Sequence, residues 1–286
     1  MKLLENFPKT HEFFIGKGVQ EIIPMESIWR KDNLLLKVFC EGGNYVFKKI
    51  GGKDLDEIER IKILKRTYPA LITDLMLFEN NSYVMDFICG RNFFDLDEKE
   101  KPEKINLCGR LLNESWKDKT AENIDLRETI KKSFDKYRKK GARFFDETEL
   151  KEIDLSLFEH VPNLISHNDL NAANVLYNGE IRLIDPSEEG YNDISRDIGR
   201  YGASTFFNNY DYFGQNKKRS LEIAEAFLSN FDLGLMGRAR YFIGESFMSF
   251  LNFDTKSTDK KVLKNLVLNT FNCKKSLINA LEDGLD

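Results

Sequence analysis

The sequence predicts an α+β fold in two parts, a small antiparallel β-sheet with one long helix followed by a larger, mainly helical region, and three observations carry that reading. Short apolar runs bounded by turn residues crowd the first 88 residues, where they read as strands. Beyond residue 89 apolar residues recur at helical spacing over 98–116, 127–145, 217–231 and 258–281. One stretch interrupts that helical pattern: Leu164-Ile165-Ser166 and Val175-Leu176-Tyr177 read as short buried strands around a polar loop. The domain boundary is accordingly placed between 1–88 and 89–286.

Residues 19–23 and 34–39 form the first two predicted strands, Glu41-Gly42-Gly43-Asn44 a turn, and Tyr45-Val46-Phe47-Lys48 the third strand. Strand alternation sets Val46 and Lys48 on one face and Lys49 on the other. Asp54 can cap the helix that follows, in which Leu55, Ile58, Ile61 and Leu64 make an apolar stripe with Glu57 on its flank and Glu59 nearer the opposite side. Ser82 to Gly90 reads as a strand running into a break, which ends the first part. In the second part, Tyr177-Asn178-Gly179-Glu180 carries the Asn-Gly pair that a two-residue type I′ hairpin prefers. The returning strand, Ile181-Arg182-Leu183-Ile184, ends at Asp185, which the hairpin is expected to deliver beside Asn174.

A chain of 286 residues with 41% hydrophobic content can bury a sizeable core, so global disorder is excluded. The cysteines at 40, 89, 108 and 273 contain no C-x-x-C pair, which argues against a zinc site or a disulfide framework and fits a cytoplasmic protein. His11, His160 and His167 do not group into a metal site either. The amino terminus lacks the apolar run of a signal peptide, and no stretch reaches the ~18 apolar residues of a membrane span. Net charge is −4 with both signs interspersed, so neither a nucleic-acid nor a membrane partner is expected. The basic run from Lys131 to Lys140 is broken by Phe134 and Tyr137 at helical spacing and reads as a solvated helix face.

The chemistry is concentrated in His167-Asn168-Asp169-Leu170-Asn171-Ala172-Ala173-Asn174, which sets one carboxylate and one carboxamide five residues apart. Phosphoryl transfer needs a carboxylate to orient the attacking hydroxyl and oxygen ligands to hold magnesium on the nucleotide phosphates. An H-x-D-x-x-x-x-N loop with a later Asp supplies all three, with Asp169 as base and Asn174 and Asp185 as ligands. Taken singly, each of these residues is an ordinary turn cap or strand end. It is their spacing between strands that favours the catalytic reading.

The segment from Ile165 to Tyr201 resembles the core of the aminoglycoside phosphotransferase and choline kinase superfamily, whose members have a two-lobed, protein-kinase-like fold. Ile184 to Asn192 is similar in length and ending to the choline kinase segment after the metal-binding Asp, and Asp197-Ile198 resembles the Asp that opens the next helix. Pro186 stands where the family often has Trp or Phe, a departure from choline kinases toward kinase-like proteins linked with bacterial capsule synthesis. The resemblance implies structural roles for Asp197, as brace of the loop, and for His167, as support of its backbone. It also makes 1–88 a nucleotide-binding lobe, in which Lys48 meets the phosphates and Glu57 pairs with Lys48, and 89–286 a helical lobe with the catalytic loop and acceptor site. Asp86 and Ile88 fall where the family's hinge binds the base through backbone groups. No glycine occurs between the first two strands, leaving backbone N–H groups or Ser27 to meet phosphate oxygens, and Gly16-Lys17-Gly18 precedes the first strand and reads as a turn.

The expectation is therefore a small-molecule kinase that uses ATP (or GTP) with Mg²⁺ and phosphorylates a hydroxyl of a sugar, aminoglycoside or amino alcohol. Glu188 and Glu189 are the candidate acceptor-site carboxylates. Phe206, Phe207, Tyr210, Tyr212 and Phe213 offer either core packing or a pocket wall. One alternative is a catalytically inactive nucleotide-binding regulator, for which the glycine-free lid speaks. Another is a protein Ser/Thr kinase, against which the short segment from Asp185 to Asp197 speaks, since it has neither the room nor the A-P-E motif of a peptide platform.

Overall fold

The computed structural model describes residues 1–25, 34–51, 57–117, 119–141, 143–146, 149–151, 153–187, 192–212, 216–251, 257–272 and 275–285. In chain order its helices and strands are α1 (Pro8–Gly16), β1 (Val19–Met25), β2 (Leu34–Cys40), β3 (Gly43–Lys49), α2 (Glu57–Thr67), β4 (Leu75–Glu79), β5 (Ser82–Asp86), α3 (Lys101–Trp116), β6 (Asn123–Ile124), α4 (Arg127–Gly141), β7 (Val161–Pro162), β8 (Val175–Tyr177), β9 (Ile181–Leu183), α5 (Ile194–Tyr212), α6 (Lys217–Leu228), α7 (Leu233–Leu251), α8 (Ser257–Asn272) and α9 (Leu277–Gly284). The chain divides into two compact units, Met1–Arg91 with Leu176–Glu188, and Asn92–Val175 with Glu189–Asp286.

The first unit is built on an antiparallel sheet of order β1-β2-β3-β5-β4. Alternation along β2 buries Leu36, Val38 and Cys40, which join Phe47, Tyr45 and Val84 in a core closed by Leu4, Phe7 and Phe14. Phe14 lies in α1, a helix absent from the sequence reading. Its start is fixed by Pro8 and by the Glu79 carboxylate of β4, which accepts from the Thr10 N–H at 3.1 Å and does the capping that Phe7 cannot. The loop after β8 departs from the two-residue turn. Three residues, 178–180, join β8 to β9, and of the Asn-Gly pair only Gly179 has positive φ, at 92°. Asn178 stays out of the left-handed region, and its backbone N–H reaches the Glu180 carbonyl at 3.1 Å. The hairpin is held within the unit by bridges from Arg91 to Tyr177 and from Ile72 to Leu183.

In the second unit α5 packs on α6 and α7, α7 on α8, and α8 on α9. The α5–α7 crossing depends on Gly199, where a Cβ would lie 2.5 Å from the Phe242 Cβ and 2.8 Å from the Ala239 carbonyl. The sequence pattern missed α7 because residues 241–248 are buried throughout, which leaves no polar face to mark a period. The expected helix 258–281 is two helices, with Ser276 capping α9 by accepting from the Asn279 N–H at 3.3 Å. Leu164-Ile165-Ser166 is not a strand; the pairing nearby belongs to Val161–Pro162, matched with Asn123–Ile124. Phe206 and Phe207 are buried against Phe247 and Phe250, so both are core and neither is a pocket wall. Among the described residues no helix is long and apolar enough to cross a membrane.

Candidate functional site

In the first unit, one ammonium group holds two carboxylates. Lys48 Nζ donates to Glu57 Oε1 at 2.8 Å and to Asp185 Oδ1 at 2.6 Å. Lys48 comes from β3, Glu57 from the first turn of α2, and Asp185 from the chain just after β9, so three elements converge on one charge. Glu57 shares the buried face of α2 with Ile58, Ile61 and Leu64, whereas Glu59 is exposed and pairs with Lys62. The register places Tyr83 of β5 directly opposite Lys48, and its hydroxyl donates to the same Glu57 Oε1 at 2.7 Å. Tyr83 went unnoticed in the sequence, although it follows from that register: opposed residues of an antiparallel pair share a face.

Burial works to lower the Lys48 pKa, but the charges of Glu57 and Asp185 outweigh it, and the ammonium is held above the usual lysine value. Burial, reinforced by Glu57, pushes the Tyr83 hydroxyl well above its ordinary range, so it stays a donor. Asp185 differs from its partners in being open, its side chain 59% exposed against 13% for Lys48 and 6% for Glu57. Its φ is 57°, in the left-handed region, and Pro186 follows, although a residue before proline is normally driven to extended backbone.

In the second unit, the loop 167–174 is gripped by one face of α5. Asp197, buried in the first turn of that helix, accepts the backbone N–H groups of His167 at 2.6 Å and Asn168 at 2.8 Å. The helix itself opens three residues earlier than expected, capped by Asp193, which accepts from the Ser195 N–H at 2.9 Å. One turn past Asp197, Arg200 donates through Nη1 to the Asn168 carbonyl at 3.0 Å and through Nη2 to Asp169 Oδ1 at 2.7 Å. One turn further, the Ser204 hydroxyl accepts the Ala172 N–H at 2.9 Å. The spacing 197, 200, 204 is that of a single helix face, a signal present in the sequence and overlooked for Arg200 and Ser204.

The loop backbone turns through Asn168, at φ 63°, whose side-chain oxygen accepts from the Ser166 hydroxyl at 2.8 Å. Asn174 Nδ2 donates to the Asp169 carbonyl at 2.8 Å and to Asp169 Oδ2 at 3.2 Å. Burial pushes the Asp197 carboxyl up to about 7, against the pull of the two backbone N–H groups and of Arg196 and Arg200.

The resemblance seen in the sequence implies a magnesium–nucleotide complex, for which oxygen donors are the fitting chemistry. Magnesium takes oxygen ligands. In the first unit Asp185 offers an open carboxylate; in the second, Asn174 commits its amide nitrogen to Asp169. At the end of β5 Asp86 is exposed, the Phe87 N–H is bound by the Asn44 carbonyl, and the Ile88 carbonyl accepts from Gly90 at 3.0 Å. Ser27, Glu188, Glu189 and Phe213 lie outside the described residues, as do Asp54 and Leu55 and the side chains of Tyr210 and Tyr212.

No protein-family model and no curated protein sequence matches the chain. Solved structures do. A protein described as a fructosamine-3-kinase, from Thermobifida fusca, superposes with a TM-score of 0.58 at 11% identity, covering 96% of this chain and 98% of its own. A thermostable mutant of the aminoglycoside phosphotransferase APH(4)-Ia, in ternary complex with AMP-PNP and hygromycin B, gives 0.57 at 17% identity, covering 93% of this chain and 100% of its own. A choline/ethanolamine kinase family protein from Mesorhizobium loti gives 0.55 at 12% identity, covering 93% and 92%. The chain shares the protein-kinase-like α+β fold of these three structures.

Proposed function

We propose that the chain is a small-molecule kinase that transfers the γ-phosphoryl group of ATP or GTP to a hydroxyl of a sugar, aminoglycoside or amino alcohol. The observation that carries this reading is the Lys48 ammonium held between the Glu57 and Asp185 carboxylates. A buried lysine fixed by a helix-borne glutamate is poised to give its charge to a phosphate, and an open carboxylate beside it suits a phosphate-bound cation. The likeness in fold to small-molecule phosphotransferases, one of them crystallised with AMP-PNP and hygromycin B, supports the same class.

In this reading Asp169 is the base, held in place to accept the proton of the acceptor hydroxyl, and Asn174 and Asp185 are the oxygen ligands of magnesium. The bound magnesium would neutralise charge on the phosphate oxygens. Asp197 and His167 are structural, and Asp86, Ile88 and Ser27 belong to the nucleotide's surroundings. Neither a membrane nor a nucleic acid is part of the reading.

The test is a phosphate-transfer screen with magnesium and ATP or GTP against sugars, amino sugars, aminoglycosides and amino alcohols, with Asp169→Asn protein as the blank. A small acceptor phosphorylated by the native chain and not by the blank is the expected result. Phosphorylation of serine or threonine in a protein, with every small acceptor ignored, would instead favour a protein kinase. If the acceptor is cationic, Glu188→Gln with Glu189→Gln raises its KM and flattens the salt dependence. A neutral sugar should respond to neither change.

A further inference from the structure

We propose that Arg200 is the positioning residue of the Asp169 carboxylate, holding it in the orientation from which it serves the acceptor hydroxyl; the inference rests on the kinase reading of Asp169. The guanidinium grips two consecutive loop residues, the carbonyl of Asn168 through Nη1 at 3.0 Å and Asp169 Oδ1 through Nη2 at 2.7 Å. A planar fork with two donors in fixed geometry sets the direction as well as the distance to a main-chain atom and the neighbouring side chain, whereas a lysine's rotatable donors diverge from a single point. The carbonyl end of the grip is itself immobilised, because Asn168 sits at φ 63° with its N–H bound by Asp197. Asn174 approaches Oδ2 from the other side at 3.2 Å, so both oxygens of the carboxylate have an assigned partner.

Magnitudes say where the effect must appear. Arg200 and Asp169 are 32% and 30% exposed, and ion pairs of that openness contribute little to stability. A reacting group displaced by about 1 Å, by contrast, loses on the order of 100-fold in rate. Arg200 therefore acts on turnover more than on folding. Ser204 supplies the internal comparison: it ties the same helix to the same loop at Ala172 without touching the carboxylate.

The experiment measures magnesium- and ATP-dependent phosphate release, with water as the acceptor, in native protein and in Arg200→Ala, Arg200→Lys, Ser204→Ala and Asp169→Ala variants. Nucleotide affinity by calorimetry and thermal melting are followed in parallel. The expected result is a kcat reduced on the order of 100-fold in Arg200→Ala, with KM and Kd for the nucleotide within about threefold. Arg200→Lys recovers only part of the loss, and guanidinium at sub-denaturing concentration raises turnover of Arg200→Ala but not of Asp169→Ala. Turnover that Asp169→Ala abolishes while Arg200→Ala stays within about twofold of native, well short of the loss set by misplacement, overturns the assignment and leaves the kinase reading standing. So does a loss in Arg200→Ala that guanidinium does not restore and that follows the melting temperature as in Ser204→Ala. Native turnover indifferent to Asp169→Ala, or no turnover, overturns the kinase reading and the assignment with it.

Discussion

The two constellations are held in opposite ways. In the first unit, Lys48, Glu57 and Asp185 come from three separate elements and are joined through side-chain charge. In the second, the loop 167–174 is held by one helix, and the contacts of Asp197 and Ser204 run to its backbone N–H groups. A cluster joined by charge depends above all on its shared cation, because removing Lys48 leaves the Glu57 carboxylate buried without it. A loop held by its backbone keeps its shape when its side chains change. The second arrangement can therefore lose its reactive group without losing its geometry, while the first cannot.

The largest effect that sharpens this contrast is Asp169→Asn, which should lower transfer on the order of 10²–10⁴-fold, the range for general bases, with melting temperature and nucleotide affinity close to native. Steady-state kinetics beside calorimetry read both halves of that expectation. A collapse of the fold would mean that the loop is not carried by its backbone contacts.

Lys48→Met comes next. It leaves Glu57, whose side chain is 6% exposed, without its cation, and removal of one partner from a buried pair costs about 3–5 kcal/mol. Nucleotide affinity and unfolding free energy should fall together, as urea titration and calorimetry would show. Loss of affinity at native stability would mean that Glu57 is relieved by Tyr83 or by solvent.

At neutral pH the smallest effect belongs to Asp197. Its carboxyl, raised from 3.8 to about 7 chiefly by burial, holds its proton more tightly in the folded state than in the unfolded one. The stability it contributes is therefore full below about pH 4 and is lost as pH rises toward 7. Unfolding curves between those limits should decline with pH in the native protein and flatten in Asp197→Asn. Equal slopes would mean that the two N–H donors keep Asp197 ionised throughout.

Much of the molecule was legible because local rules and tertiary structure agree. Short apolar runs bounded by turn residues located β2 and β3, strand alternation set Lys48 apart from Lys49, and the apolar stripe of α2 separated Glu57 from Glu59. What was lost follows from the same rules. Buried on every side, residues 241–248 carry no amphipathic signal, and α1 owes its first turn to Glu79, nearly seventy positions away in the chain. Asn-Gly foretold a turn correctly but not its length, since only Gly179 takes positive φ. Arg200 was hidden by habit of reading: its partners lie 31 and 32 residues earlier, in a loop motif that does not extend to the arginine. A linear division of the chain also has no means of expressing the return of Leu176–Glu188 to the first unit.

Two left-handed residues carry a consequence for how the protein can change. Asn168 immediately precedes the candidate base, and Asp185 is itself a candidate ligand, with φ values of 63° and 57°. Residues held there cost on the order of 1–3 kcal/mol each, less for Asn and Asp than for most, and glycine bears almost none of it. Glycine would relieve that backbone cost at either position, but at 168 it would give up the hydrogen bond from the Ser166 hydroxyl and at 185 the carboxylate that pairs with Lys48. On the kinase reading, backbone ease and chemistry therefore draw residue 185 in opposite directions.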